Sequence, residues 1–341
     1  MAQQQHPGAP LSGQVDTSDP WISRNYRSKL LSLSNGPSGS DVINTKELEM
    51  YGDAAHDVVF RIGNGGAGYT GVLRMLADMY IAENGGGFRI GWVPNHSRHS
   101  QIALLAGVVE IALTYEPHNE DLAIDEGWAS RVGRAFNDHF ILVGPDVDVG
   151  AFDICGALRI IAESHSARGG SGAAPGGVRL DRIEFHTRGD GSATFAKEQL
   201  LWQAAGVDVS GKDWMKTYPL APYDALLRAD NERAFLLTDR ATFLTAKRDG
   251  VIPSLHVHVE GGQELLNPCS AVVKSDAFVS EVSGDRDLEA HRAAARFAVW
   301  LTSNQAQSAI KDYGRQWGLC KPLFTPGDEE EFSAEDRLPS S

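Results

Sequence analysis

Three times in this chain an apolar strand runs into a short polar loop and then into a helix, and that repeat limits the fold more than any other feature. The units are Val58 to Ile62 with Gly63-Asn64-Gly65-Gly66-Ala67-Gly68, Phe88 to Val93 with Asn95-His96-Ser97-Arg98-His99-Ser100, and Leu180 to Phe185 with Thr187-Arg188-Gly189-Asp190-Gly191-Ser192. Between them lie an Ile111 to Tyr115 strand, an Asn119 to Trp128 helix, a His139 to Pro145 strand, a Phe152 to Ser164 helix and a Gly/Ala/Ser-rich loop from Ser166 to Gly177. Strands that alternate with helices need crossover connections and build a largely parallel sheet, so the fold class is α/β, doubly wound. With 341 residues, 42% of them hydrophobic, the chain can fill two lobes.

Each unit also gathers the unsatisfied N–H groups and the positive dipole end of a helix at one point, which is an anion cradle. The third unit adds Arg188, whose fixed fork matches an oxyanion, and the hydroxyls of Ser192 and Thr194. A plainer alternative is that Ser192 or Thr194 caps its helix and Arg188 pairs with Asp190. The first unit fits the dinucleotide fingerprint through Gly63, Gly65 and Gly68. That fingerprint requires an acidic residue closing the next strand, and Phe88 to Asn95 ends without one.

A formal net charge of −14 argues against nucleic acid or an anionic membrane surface as partner, so any anion site is a local positive pocket. Cys155, Cys269 and Cys320 are far apart and lack metal spacing, which reads as three free thiols. His96, His99, Glu116 and His118 are too loosely spaced to indicate a metal, and neither metal nor other cofactor is expected. The motifs of nucleophilic, P-loop and zinc-protease chemistry are absent, so the chain is not expected to be an enzyme. Its start lacks a basic, apolar leader and no run is long enough to span a bilayer, which makes the cytoplasm the default expectation. Residues 1–56 read as a largely disordered extension and 326–341 as a disordered acidic tail.

Three ordered segments make the reading more specific. They are Tyr115-Glu116-Pro117-His118 through Glu126-Gly127-Trp128 to Phe136-Asn137-Asp138-His139 and Val143-Gly144-Pro145; Thr187 to Thr194 with Glu198 to Asp208; and Phe235 to Phe243 with Leu265-Leu266-Asn267-Pro268 and Gly318 to Phe324. Together they resemble the tungstate-binding proteins of bacterial ABC transporters, within the type 2 periplasmic-binding-protein fold. The resemblance implies two α/β lobes, 57–138 plus 270–325 and 139–269, that hinge near Asn137-Asp138 and Asn267-Pro268 and close on an oxyanion such as tungstate or molybdate. It implies ligands from Asn64, Gly65, Gly66, Ser97 and Arg98 on the first lobe, and from Arg188, Ser192, Thr194, Tyr223 and Thr238 on the second. Tyr223 also suits core packing, and Arg240 suits a ligand role or a buried pair with Asp239 or Glu232. The implied protein is a monomer that partners a transporter without entering the membrane. The chain departs from the family where a Thr/Ser-rich loop becomes Gly63-Asn64-Gly65-Gly66, and where Arg98 and two histidines enter the second loop; more charge and fewer hydroxyls suit a larger or more charged anion. A dinucleotide-dependent enzyme using the Gly63 to Gly68 loop, or a scaffold that kept the fold, is the alternative.

Overall fold

The structure, a computed structural model, describes residues 13–18, 22, 26–33, 42–151, 153–166, 183–282 and 285–339. Most of the loop expected from Ser166 to Gly177, and Leu180 to Arg182, lie outside the described residues. In chain order the first strands are β1 (Gln14–Asp16), β2 (Val42–Asn44), β3 (Glu49–Tyr51) and β4 (Val58–Asn64). Helices α1 (Gly66–Thr70) and α2 (Val72–Glu83), β5 (Arg89–Pro94), α3 (Ser97–Leu105), β6 (Ile111–Thr114), α4 (Pro117–Asp125) and the long β7 (Ala129–Gly144) follow. The chain then forms α5 (Ile154–Ser166), β8 (Phe185–Thr187), α6 (Ala193–Ala204), β9 (Met215–Thr217), α7 (Pro222–Glu232), β10 (Phe235–Asp239), α8 (Arg240–Arg248) and β11 (His256–Glu260). It ends with β12 (Leu266–Lys274), α9 (Asp276–Val282), α10 (Asp285–Leu301) and α11 (Asn304–Asp312).

Beyond the β1–β2 pair, the strands form one ten-stranded sheet in the order β3-β5-β4-β6-β12-β7-β10-β8-β9, with β11 also on β7. At one end β4 runs parallel to β5 and β6; at the other β8 runs parallel to β9 and β10. Antiparallel β7 and β12 join the two sets. The first part of β7, Ala129 to His139, pairs with β12, and its last residues, Phe140 to Gly144, pair with β10 and β11. From Ala135 onward every residue of β7 is buried, and successive side chains enter different cores. Phe140 and Leu142 pack with Phe185, Trp202 and Phe235, whereas Ile141 and Val143 join the cluster of Ile62, Leu113 and Leu236.

The segment expected as one helix from Tyr69 to Ala82 breaks at Gly71, whose φ of 88° only glycine adopts easily. Packing dictates the three fingerprint glycines. A Cβ on Gly63 would meet Ser100 and Val109 at 3.2 Å, one on Gly65 would meet the Asn95 carbonyl at 3.1 Å, and one on Gly68 would lie 2.1 Å from the Trp92 ring. Trp92 sits across that helix start with its Nε1 donating to the Asn64 carbonyl at 2.9 Å.

At both ends, some of the residues expected to be disordered are packed. Val15, Ile22, Leu30 and Ile43 are buried against Ile102, Leu104 and Trp128, so the described part of the N-terminal extension completes a core. Its apolar patch, short as it is, suffices because α3 presents a matching apolar face. At the other end Phe332 and Leu338 are buried, and Arg240 stacks 3.8 Å from the Phe332 ring while donating to the Asp336 carbonyl at 2.7 Å. Asp336 takes a two-pronged bond from Arg315 at 2.6 and 2.9 Å. The acidic run is held because Arg134, Lys311 and Arg315 supply its counter-charges. Substituting Gly68→Ala should cost about 1–3 kcal/mol by forcing the Trp92 indole from its seat, read as a lower urea midpoint.

Candidate functional site

Strand β8 is three residues long and fully buried, and it releases the chain at Arg188 between two parallel neighbours. The turn that follows has positive φ at Gly189 (57°) and Gly191 (69°), which brings Asp190 back over the helix start. Asp190 accepts from the Ser192 amide at 3.1 Å and from its hydroxyl at 2.6 Å, and pairs with Nη2 of Arg188. Ser192 caps α6, its Oγ accepting from the Phe195 amide at 3.4 Å. Arg188, only 4% exposed, donates through Nε to the Leu220 carbonyl at 3.0 Å. Its Nη1 makes a long 3.5 Å contact with the Thr194 hydroxyl. The capping and pairing alternative drawn from the sequence is therefore realised, and Nη1 is the prong of the fork held most weakly.

Charge around this loop is finely set. Burial would raise the Asp190 carboxyl, but Arg188, Ser192 and His96 together hold it below its ordinary value. Glu198, one turn into α6, is pushed up to about 8 by burial, against the pull of Thr187, Trp202 and Arg188. Near neutral pH Glu198 is therefore largely protonated, and Asp190 is the carboxylate that balances Arg188.

His96 belongs to the other half of the sheet, at the start of α3, yet it feels both Arg188 and Asp190. Burial is the larger cause of its lowered pKa, followed by Arg188, with Asp190 opposing. As a residue His96 is solvent-exposed, so it stands at the edge of the packed atoms that crowd it rather than inside a core. His96 is the N-cap of α3, and no side-chain hydrogen bond caps that helix. Ser97 uses its hydroxyl to accept from the Tyr115 amide at 3.1 Å. His99 is held neutral, pushed down to about 3 by burial and by neighbouring His96 and Arg98.

Other residues singled out in the sequence are brought elsewhere. Asn64 is framework: Nδ2 donates to the Leu113 carbonyl at 2.9 Å and Oδ1 accepts from the Gly68 amide at 3.0 Å. Gly65 and Gly66 are half-buried at the start of the short α1. Arg98 turns to the N-terminal segment, its Nε 3.3 Å from the Leu30 carbonyl. Tyr223 donates to Asp249 at 2.8 Å near the surface, which ties α7 to the end of α8. Thr238 is buried on β10 opposite Ile141, next to the Asp239 that caps α8. Arg240 pairs with Glu260, not with Asp239 or Glu232. Sequence reasoning named His96 only as a metal ligand or an added cation; its place at the N-cap of α3 puts it within electrostatic reach of Arg188.

Because folding raises the Glu198 pKa from 4.5 to about 8, the folded state binds the extra proton and loses stability as pH rises between those values. Glu198→Gln should thus gain stability relative to the parent from pH 5 to pH 8, and nothing at pH 4. Thermal melts across that range check it.

No model of a protein family matches the chain. It is 32% identical over 229 residues to the tungstate-binding protein TupA of Peptoclostridium acidaminophilum, across 64% of this chain and 69% of that protein. It is 30% identical over 211 residues to a Haloferax volcanii protein named for anion binding in an ABC transporter, across 61% of this chain and 55% of that one, so it spans about half the length of this relative. The solved tungstate-binding protein TupA from Desulfovibrio alaskensis G20 superposes with a TM-score of 0.62 at 24% identity, over 80% of this chain and all of that one. The chain belongs to the tungstate-binding family of ABC-transporter substrate-binding proteins and has its two-lobed periplasmic-binding-protein fold.

Proposed function

We propose that this chain is a non-catalytic binding protein that captures a small oxyanion of the tungstate and molybdate class between its lobes. The observation that carries the reading is Arg188: a buried, permanently charged fork with one weakly held prong, near enough to His96 at the start of α3 to lower its pKa. Anion oxygens would take Nη1 of Arg188 and the hydroxyls of Thr194 and Ser97. Such a site supplies donors and positive charge, which bind an anion, and the hydroxyl beside its carboxylate, that of Ser192, serves to cap α6. The Gly63 to Gly68 loop does not favour a dinucleotide, since its fingerprint glycines, Gly63, Gly65 and Gly68, are each accounted for by what packs on them.

The lobes of this reading are 57–138 plus 270–325, and 139–269. They would rotate where Asn137 and Asp138 lie opposite Pro268 and Asn267, two adjacent crossings that can twist together. The names of the relatives support a transporter as partner. That role puts the chain outside the membrane, against the cytoplasmic default drawn from its N-terminus, and cell fractionation separates the two. Among the described residues no helix is long and apolar enough to cross a bilayer.

Calorimetric titration with tungstate, molybdate, sulfate, phosphate and small organic acids tests the reading. Tungstate or molybdate should bind tightest; a preference for an organic acid would move the ligand to a carboxylated metabolite, and no binding by any would leave a scaffold. Arg188→Ala should weaken the bound anion roughly 10- to 100-fold, the worth of a charge-assisted hydrogen bond. His96 has a lowered pKa in the free protein, and a bound anion would raise it, so binding takes up a proton. Affinity should then rise as pH falls through 6.5, and His96→Gln should flatten that dependence.

A further inference from the structure

Strand β8 carries the Arg188 loop, and its side chains alternate between two faces. Phe185 lies edge-on to Trp202 with ring centroids 5.0 Å apart, and Thr187 reaches Glu198, so both face α6. His186 faces the other way, edge-on to Tyr218 at 4.8 Å. Glu184, two residues earlier, shares its face, and Glu232 comes to it from the last residue of α7, where Arg233 with φ 54° stops the helix.

His186 is 2% exposed, and neither ring nitrogen has a hydrogen-bond partner. A buried imidazole without partners needs an explanation. Its Nε2 lies 3.2 Å from Oε2 of Glu232 and 3.9 Å from Oε2 of Glu184. The other oxygens of the two carboxylates are taken: Oε1 of Glu232 by Arg228 at 2.9 Å, and Oε1 of Glu184 by Lys216 at 3.5 Å. The flanking cations thus aim both Oε2 atoms at the imidazole, as outer groups aim the ligands of a metal. Ligand atoms around a tetrahedral zinc stand about 3.4 Å apart, and the two separations bracket that length.

We propose that Glu184, His186 and Glu232 bind a divalent transition-metal cation of the zinc class, on the face of β8 opposite the α6 side. One nitrogen and two carboxylate oxygens suit such an ion better than calcium or magnesium, which prefer oxygen throughout. Both glutamates are partly open to solvent, which leaves water to complete the shell. The ion would fasten the end of α7 to the strand that presents Arg188.

The test is equilibrium dialysis of the chelator-treated full chain against zinc chloride, with metal measured per chain. One zinc should be retained, and its affinity should fall at least about tenfold in Glu232→Gln and in Glu184→Gln, partly exposed positions whose variants keep the fold. Arg188→Ala should retain the zinc, so failure of the anion reading would not touch this one. No stoichiometric uptake by the parent chain, or uptake unchanged in both glutamate variants, would overturn it.

Discussion

The whole architecture depends on one strand being shared. β7 gives its first eleven residues to pairing with β12 and its last five to β10 and β11, so both parallel sets hang on a single continuous ladder. The change of partner falls at Asp138, His139 and Phe140, and polar groups collect there. Asp138 accepts from the His139 amide at 2.8 Å, and burial together with nearby Asp239 raises its pKa well above the ordinary carboxylate value. His139 meets the Thr325 hydroxyl at 3.1 Å, and Asn137 exchanges backbone hydrogen bonds with Thr325 at 2.9 and 3.0 Å. A hydrogen-bonded junction can turn without opening a cavity, whereas an interdigitated apolar core in the same place would resist any rotation.

In the proposed site two separate loops act together. His96 stands on the β4–β5 side and Arg188 on the β8–β10 side, with β6, β12, β7 and β10 between them along the sheet. Arg188 lowers the His96 pKa, and His96 helps to lower that of Asp190. Asp190 holds one prong of Arg188, so in that reading an anion would meet a guanidinium already oriented by Leu220 and Asp190. Orientation before binding spares the ligand the entropy of ordering a long side chain.

Much of the fold was legible because it rests on local periodicity. The strand-loop-helix repeats and the parallel sets follow from short apolar runs and the glycines that separate them, whereas the antiparallel pairing of the Asn137 and Asn267 segments is a finding of the structure. The Arg188 loop was legible for the same reason. What escaped was tertiary in origin. Asn64 looks like a free donor until Leu113 and Gly68 claim it, and Arg98 looks like a cleft cation until Leu30 folds over it. The ends looked disordered because composition averages over residues, while Leu30 and Phe332 each need only one prepared surface. The dinucleotide pattern arose because an indole and a carbonyl, rather than a pyrophosphate, demand the missing Cβ atoms.

The C-terminal segment carries a consequence of its own. Its residues reach Arg134, Lys311 and Arg315 on one side of the β7 junction, and Arg240, Glu260 and Gln263 on the other. A rotation of the proposed lobes about the β7 and β12 crossings would have to carry this third segment along or break its bonds on one side.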